Sequence, residues 1–312
     1  MGLSVLPPPA RPGDRVGVAA LSGPVDPGRL ERGLAALSGL GFEPVPAANL
    51  GDSEGLFAGD DRRRLAAFHD LAADPSLKAI FFARGGHGVL RVLPGIDWEL
   101  LAAHPRAYVG YSDLTPFLLA VTARLGLVAF HGPMVAADLA RGISGEEAAS
   151  LLAALAGDYP RAYPVEGARA GNGAGVPGAG EGVSSPVSGP LLGGCLSLIT
   201  ALLGTPYLPD LAGAVLFWED VDEPLYRLDR MLTHLGLSGS LAALSAMVVG
   251  HAEPTDARGE PPAVWLTDAL AGFTPPLAWG LAAGHRAPNL TLPLGLTARL
   301  EPATRRLVCG EG

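Results

Sequence analysis

The chain has 312 residues, 48% hydrophobic and 17% charged, enough for one large or two ordinary domains and too apolar for wholesale disorder. Lys and Arg number 22 against 31 Asp and Glu, and the net charge of −9 repels a phosphate backbone, which argues against nucleic acid as a partner. Cys195 and Cys309 alone cannot build a disulfide framework or a zinc site, and they are compatible with a reducing cytoplasm.

The opening stretch, "MGLSVLPPPARPGD", lacks the basic start and apolar core of a signal peptide, and Leu6 stands where a myristoylation motif has Ser or Thr. Short apolar runs follow: "RVGVAA" at 15–20, "AIFFA" at 79–83, "AYVG" at 107–110 and "LVAF" at 127–130. Between them lie helical patterns, one with Leu30, Leu34 and Leu37 on a single face, another with Leu65, Phe68 and Leu71. Alternating strands and helices predict a parallel sheet, which places ligands beyond the carboxyl ends of its strands. Three such ends carry Ser22, the pair Gly85 and Gly86, and Ser112.

Residues 166–190 contain eight glycines and no large apolar side chain, the composition of a linker or mobile loop. The expected organisation is an N-terminal domain over 1–160, a linker over 161–187 and a C-terminal domain over 188–312. No internal repeat is present. "LLGGCLSLITALLGTPYL" is broken by glycines and Pro206, too short in its apolar part to cross about 30 Å of hydrocarbon, and is read as a buried helix. Beyond it come strand-like "AVLFW", a helix with Leu225, Leu228, Leu232 and Leu235 on its apolar face, "AMVVG" at 246–250 and "TARLEP" at 297–302. The predicted fold class is α/β: a parallel-sheet N-terminal domain, then a smaller mixed α/β domain with a β-rich core.

"GYSDLTP" at 110–116 joins a strand to a helix. Ser112 there is either the N-cap of that helix, with Asp113 as the alternative cap, or a nucleophile near free backbone N–H groups. It meets only half of the G-x-S-x-G elbow, because Leu114 stands at the second glycine. A nucleophilic serine needs a base, and His87, His131, His251 and His285 all adjoin glycine and could enter a cleft. Glu219 and Asp220, ending "AVLFW", are candidate acceptors for that base, or acidic residues at the start of the next helix. No H-E-x-x-H, dinucleotide fingerprint or P-loop occurs, so neither metal nor organic cofactor is expected.

Together, "PGDRVGVAALSGP", "ARGGHGVLRVLPGIDWELLAAHPRAYVGYSDLTPFLLA", "GLVAFHGPM", "GGCLSLITALLGTPYLPD", "LFWEDVDEPLYRLDRMLTHL" and "GHRAPNLTLPLG" resemble the LD-carboxypeptidase family of serine peptidases, in that family's order. The resemblance implies a nucleophile at Ser112, the acidic partner at Glu219, the base at His285, and an oxyanion hole from the amides of Gly86 and Asp113. Arg84, His87 and Arg230 are candidate substrate-binding residues. The sequence departs from the family where His87 and Leu90 replace the usual residues of the glycine loop, where Cys195 follows "GG", and where "ALSG" replaces "APSG". The implied function is release of terminal D-alanine from murein tetrapeptides by a cytoplasmic homodimer, without a membrane partner. The rival readings are a microcin-type peptidyl-nucleotide hydrolase, with Trp218, Trp265 or Trp279 as base platform, and a muropeptide-binding protein without catalysis.

Overall fold

The computed structural model describes residues 4–169, 185–256, 262–270 and 275–310. The first half runs β1 (Arg15–Ala19), α1 (Pro27–Gly39), β2 (Glu43–Pro46), α2 (Asp61–Ala73), β3 (Leu77–Phe82), α3 (Val89–Val92), α4 (Trp98–Ala103), β4 (Ala107–Gly110), α5 (Thr115–Leu125), β5 (Ala129–His131) and α6 (Gly145–Ala156). A single π-helical turn, Val135–Leu139, follows β5. The helices begin where short polar side chains can satisfy their free amides: Asp26 caps α1, Asp60 caps α2, and Ser144 with Glu147 forms a reciprocal capping box on α6.

β6 (Arg161–Pro164), β7 (Gly167–Arg169), β8 (Val187–Cys195), α7 (Leu196–Ala201), β9 (Val215–Asp220), α8 (Leu225–Leu237), β10 (Ala246–Ala252), α9 (Pro262–Ala269), β11 (Leu277–Trp279), β12 (Leu292–Leu294), β13 (Thr297–Glu301) and β14 (Arg306–Cys309) complete the chain. The first sheet has the order β12-β5-β4-β3-β1-β2, parallel except for β12, which pairs antiparallel with β5. The second has the order β6-β14-β13-β8-β9-β10-β11-β7, parallel from β8 to β11 and antiparallel on both flanks. A parallel N-terminal sheet and a mixed, β-rich C-terminal one are the architecture expected from the sequence. Among the described residues no helix is long and apolar enough to cross a membrane.

Two expectations need correction. Residues 161–169, assigned to a linker, contain β6 and β7 of the second sheet, while 170–184 lie outside the described residues. The run read as one buried helix is a strand through Cys195 and only then helix α7. Gly193 and Gly194, at φ of 145° and 142°, let β8 continue in a conformation that side chains rarely adopt. A Cβ on Gly194 would stand 2.5 Å from Thr115 Oγ1, so β8 passes directly against the start of α5. The Cys195 amide donates to that hydroxyl at 3.0 Å, locking the two sheets together.

Aromatic packing holds α5 on the first sheet: Phe117 meets Phe68, Phe82 and Tyr108 edge-on at 5.4, 5.3 and 5.2 Å. β12 performs the complementary task. By pairing with β5 it carries the chain just before it, residues 284–291, to the carboxyl end of the first sheet.

Candidate active site

Ser112 leaves β4 with φ of 61°, a left-handed conformation that costs a side-chain-bearing residue about 1–2 kcal/mol. The chain then makes one 3-10 turn, Ser112–Leu114, and enters α5 at Thr115. Neither Ser112 nor Asp113 caps α5, which has no side-chain cap. The Asp113 carboxylate instead accepts the Ser22 hydroxyl at 2.5 Å and the Val89 amide at 3.0 Å. One buried carboxylate thus ties the loop after β1 and the first residue of α3 to the turn that leads into α5. Burial raises its pKa, and the two hydrogen bonds oppose that rise.

His285 lies between the sheets. Its Nε2 is 3.0 Å from Ser112 Oγ, and its Nδ1 is 2.6 Å from Oε2 of Glu219, a fully buried residue near the end of β9. An ionised carboxylate only accepts, so Nδ1–H donates to Glu219 and Nε2 is left to accept the serine proton. Burial works against the imidazolium, but the hydrogen bond and charge of Glu219, helped by Asp220 and Asp138, outweigh it and hold His285 above the ordinary histidine value.

The loop carrying His285 is itself fixed. Asn289 Oδ1 accepts the Gly284 amide at 2.9 Å, and the Asn289 amide donates to the buried Glu147 Oε1 at 2.8 Å. Tyr111 presses edge-on against the imidazole with centroids 4.9 Å apart, and its hydroxyl donates to Asp138 Oδ1 at 3.3 Å.

These contacts choose among the sequence candidates. Asp220 accepts the Ser197 and Val221 amides at 2.8 and 2.9 Å, so it organises backbone while Glu219 faces the histidine. Burial drives His131 down to about 3 and keeps it neutral beneath Tyr111. His251 Nε2 is 2.9 Å from the Pro288 carbonyl. His87 is exposed, with its ring 5.8 Å from Phe57, and Arg230 lies over the Tyr226 ring on the solvent face of α8. Neither belongs to the cleft of about 520 Å³ that Ser112 and His285 line; Arg84 does. Gly86 lines it also, and among the described residues neither its amide nor that of Asp113 donates to a protein acceptor.

Gly85, expected at a strand end that faces ligands, does line the cleft, whereas Tyr111, Asp138 and Asn289 are parts of the site that the sequence does not single out. Asn289 carries a sequence mark as the polar residue that closes "GHRAPN", and the structure shows it buried. The Tyr111–Asp138 contact depends on a π-helical turn that no local pattern announces.

Comparison with known proteins gives the arrangement its family. The LD-carboxypeptidase N-terminal domain matches residues 16–132, and the LD-carboxypeptidase C-terminal domain matches residues 188–300. A Streptomyces coelicolor chain carrying a carboxypeptidase name is 39% identical over 311 residues, 96% of this chain and 94% of its own length. The murein tetrapeptide carboxypeptidase of Pseudomonas aeruginosa is 34% identical over 257 residues, 78% of this chain and 79% of that one. In fold, the solved microcin C7 self-immunity protein superposes with a TM-score of 0.87, covering 99% of each chain at 24% identity. Two domain matches in the right order, with a relative this similar along nearly its whole length, place the chain in the LD-carboxypeptidase family, as a serine-type carboxypeptidase.

Proposed function

We propose that the protein releases the terminal D-alanine of murein tetrapeptides, cutting after the L-centre of the diamino acid at position three. The observation that carries this reading is the unbroken line of hydrogen bonds from Ser112 through His285 to Glu219. Ser112 Oγ attacks the peptide carbonyl as His285 Nε2 takes its proton, and Glu219 holds the imidazole by Nδ1–H and offsets the imidazolium charge. The amides of Gly86 and Asp113 stabilise the oxyanion, each donor being worth about 3 kcal/mol. His285 then returns the proton to the nitrogen of D-alanine as the C–N bond breaks. Water, deprotonated by the same nitrogen, adds to the acyl carbon, and the imidazolium passes that proton to Ser112 Oγ as the ester C–O bond breaks, which frees the tripeptide and restores the serine.

A specific observation disfavours the nucleotide-cleaving alternative. Trp218 and Trp265 are buried against one another with centroids 6.2 Å apart, and Trp279 packs where a side chain on Gly167 would stand. None of them lines the cleft, so none offers a base a stacking platform there.

Incubation with a tetrapeptide ending in D-alanine, beside the diastereomer ending in L-alanine, tests the proposal. Release from the first alone is expected; release from neither by folded enzyme would reject the substrate. We further propose a cytoplasmic homodimer, supported by two thiols without a disulfide and, for the dimer, by the family resemblance. Cell fractionation and sedimentation equilibrium test these two assignments.

A further inference from the structure

The cleft beside Ser112 carries more positive charge than the serine chemistry uses. Arg29, Arg32 and Arg84 line it with one carboxylate, Asp26, in a chain whose net charge is −9. Two of the three guanidinium groups are engaged by backbone. Arg84 donates from Nε to the Gly85 carbonyl at 3.1 Å and from Nη1 to the Pro24 carbonyl at 3.2 Å; Arg32 Nε donates to the Ala140 carbonyl at 3.4 Å. The Arg29 guanidinium makes no hydrogen bond or ion pair with any described residue. Asp26 directs its carboxylate to the Arg29 backbone amide, at 2.8 Å, as the helix cap.

The place of Arg29 is set by close packing. One turn further along α1, a Cβ on Gly33 would come within 2.1 Å of the Val135 carbonyl oxygen, so α1 sits directly on the π-helical turn. That turn supplies Ala136 and Ala137 to the cleft wall. Residues four apart share a helix face, so the contact that seats Gly33 also turns Arg29 towards the cleft.

A guanidinium without a protein partner, in the cleft that holds the nucleophile, suits a planar anion bound through two parallel hydrogen bonds. The residue a carboxypeptidase releases carries its carboxylate one carbon from the scissile nitrogen, so the bound peptide brings that anion alongside Ser112. We propose that Arg29 recognises the free α-carboxylate of the departing residue and thereby restricts cleavage to the chain terminus. The assignment rests on the peptidase reading above and adds a specificity-determining residue to it.

The test compares a tetrapeptide with a free terminal carboxylate and its C-terminal amide, in wild type, Arg29→Ala and Arg29→Lys. Wild type should prefer the acid by roughly 10- to 100-fold in kcat/KM, as expected for charge-assisted bonds, with most of the difference in KM. Arg29→Ala should bring the ratio close to one, and Arg29→Lys should retain part of it. An unchanged ratio in Arg29→Ala, or an equal loss on both substrates, would overturn the role of Arg29 while leaving the peptidase reading in place. Wild type inert on both peptides would instead overturn that reading, and this assignment with it.

Discussion

Ser112 Oγ and His285 Nε2 lie 3.0 Å apart although 173 positions separate them in the chain. Two long-range features bring them together. β12 joins the first sheet beside β5 and carries the His285 loop with it, and the glycines of β8 let the second sheet close against the start of α5. Ser112 is therefore held by one sheet, Glu219 by the other, and the His285 imidazole spans the gap.

The acid limb of activity should report His285. Nε2 must be unprotonated to accept the serine proton, so kcat/KM should rise with pH through an inflection above the ordinary histidine value of about 6.5. His131, held down to about 3, stays neutral across that range and does not contribute. Glu219→Gln removes the charge that raises His285 and leaves burial to prevail. The inflection should then move to lower pH and kcat fall by roughly 10²- to 10⁴-fold. A pH–rate profile checks both, and an unmoved inflection would show that Glu219 does not set the pKa.

Gly85 should be intolerant of any side chain, for reasons of chemistry more than folding. A Cβ there would stand 2.9 Å from both Cβ and Oγ of Ser112. Gly85→Ala should lower kcat/KM by on the order of 10²-fold, the scale of a misplacement of about 1 Å. Steady-state kinetics beside thermal melting would expose the opposite pattern, lost stability with intact turnover.

The backbone at Ser112 is strained, with φ in the left-handed region. At φ of 61° alanine has the same steric conflict as serine, and glycine has none. Ser112→Gly should be more stable than Ser112→Ala by about 1 kcal/mol in urea unfolding, with both inactive. Equal stability would mean that the left-handed turn is not a cost.

The strands β1, β3, β4 and β9 are legible in the sequence because each is a short apolar run closed by glycine or charge. β2, "EPVP", is not, since alternate prolines speak against a strand; it survives as the edge of its sheet, where a missing donor is tolerated. β12, "LPL", is three residues long, and pairing with β5 across the fold creates it. At the site, residue types point to Ser112 and to a histidine. The family resemblance singles out His285, but residue type alone does not separate it from His131 and His251, which burial and the ring facing the serine do. The resemblance likewise picks Glu219, while composition leaves it level with Asp220, a neighbour of like charge, until the alternation of side chains along β9 separates them.

Whether Ser112 and His285 act as one unit is read most directly from kcat/KM for D-alanine release by Ser112→Ala, His285→Ala and the double variant. Each single change should cost several orders of magnitude, and the double should be little worse than either, because removing one partner already disables the other. Losses that multiply in the double variant, or substantial release by Ser112→Ala, would contradict the account.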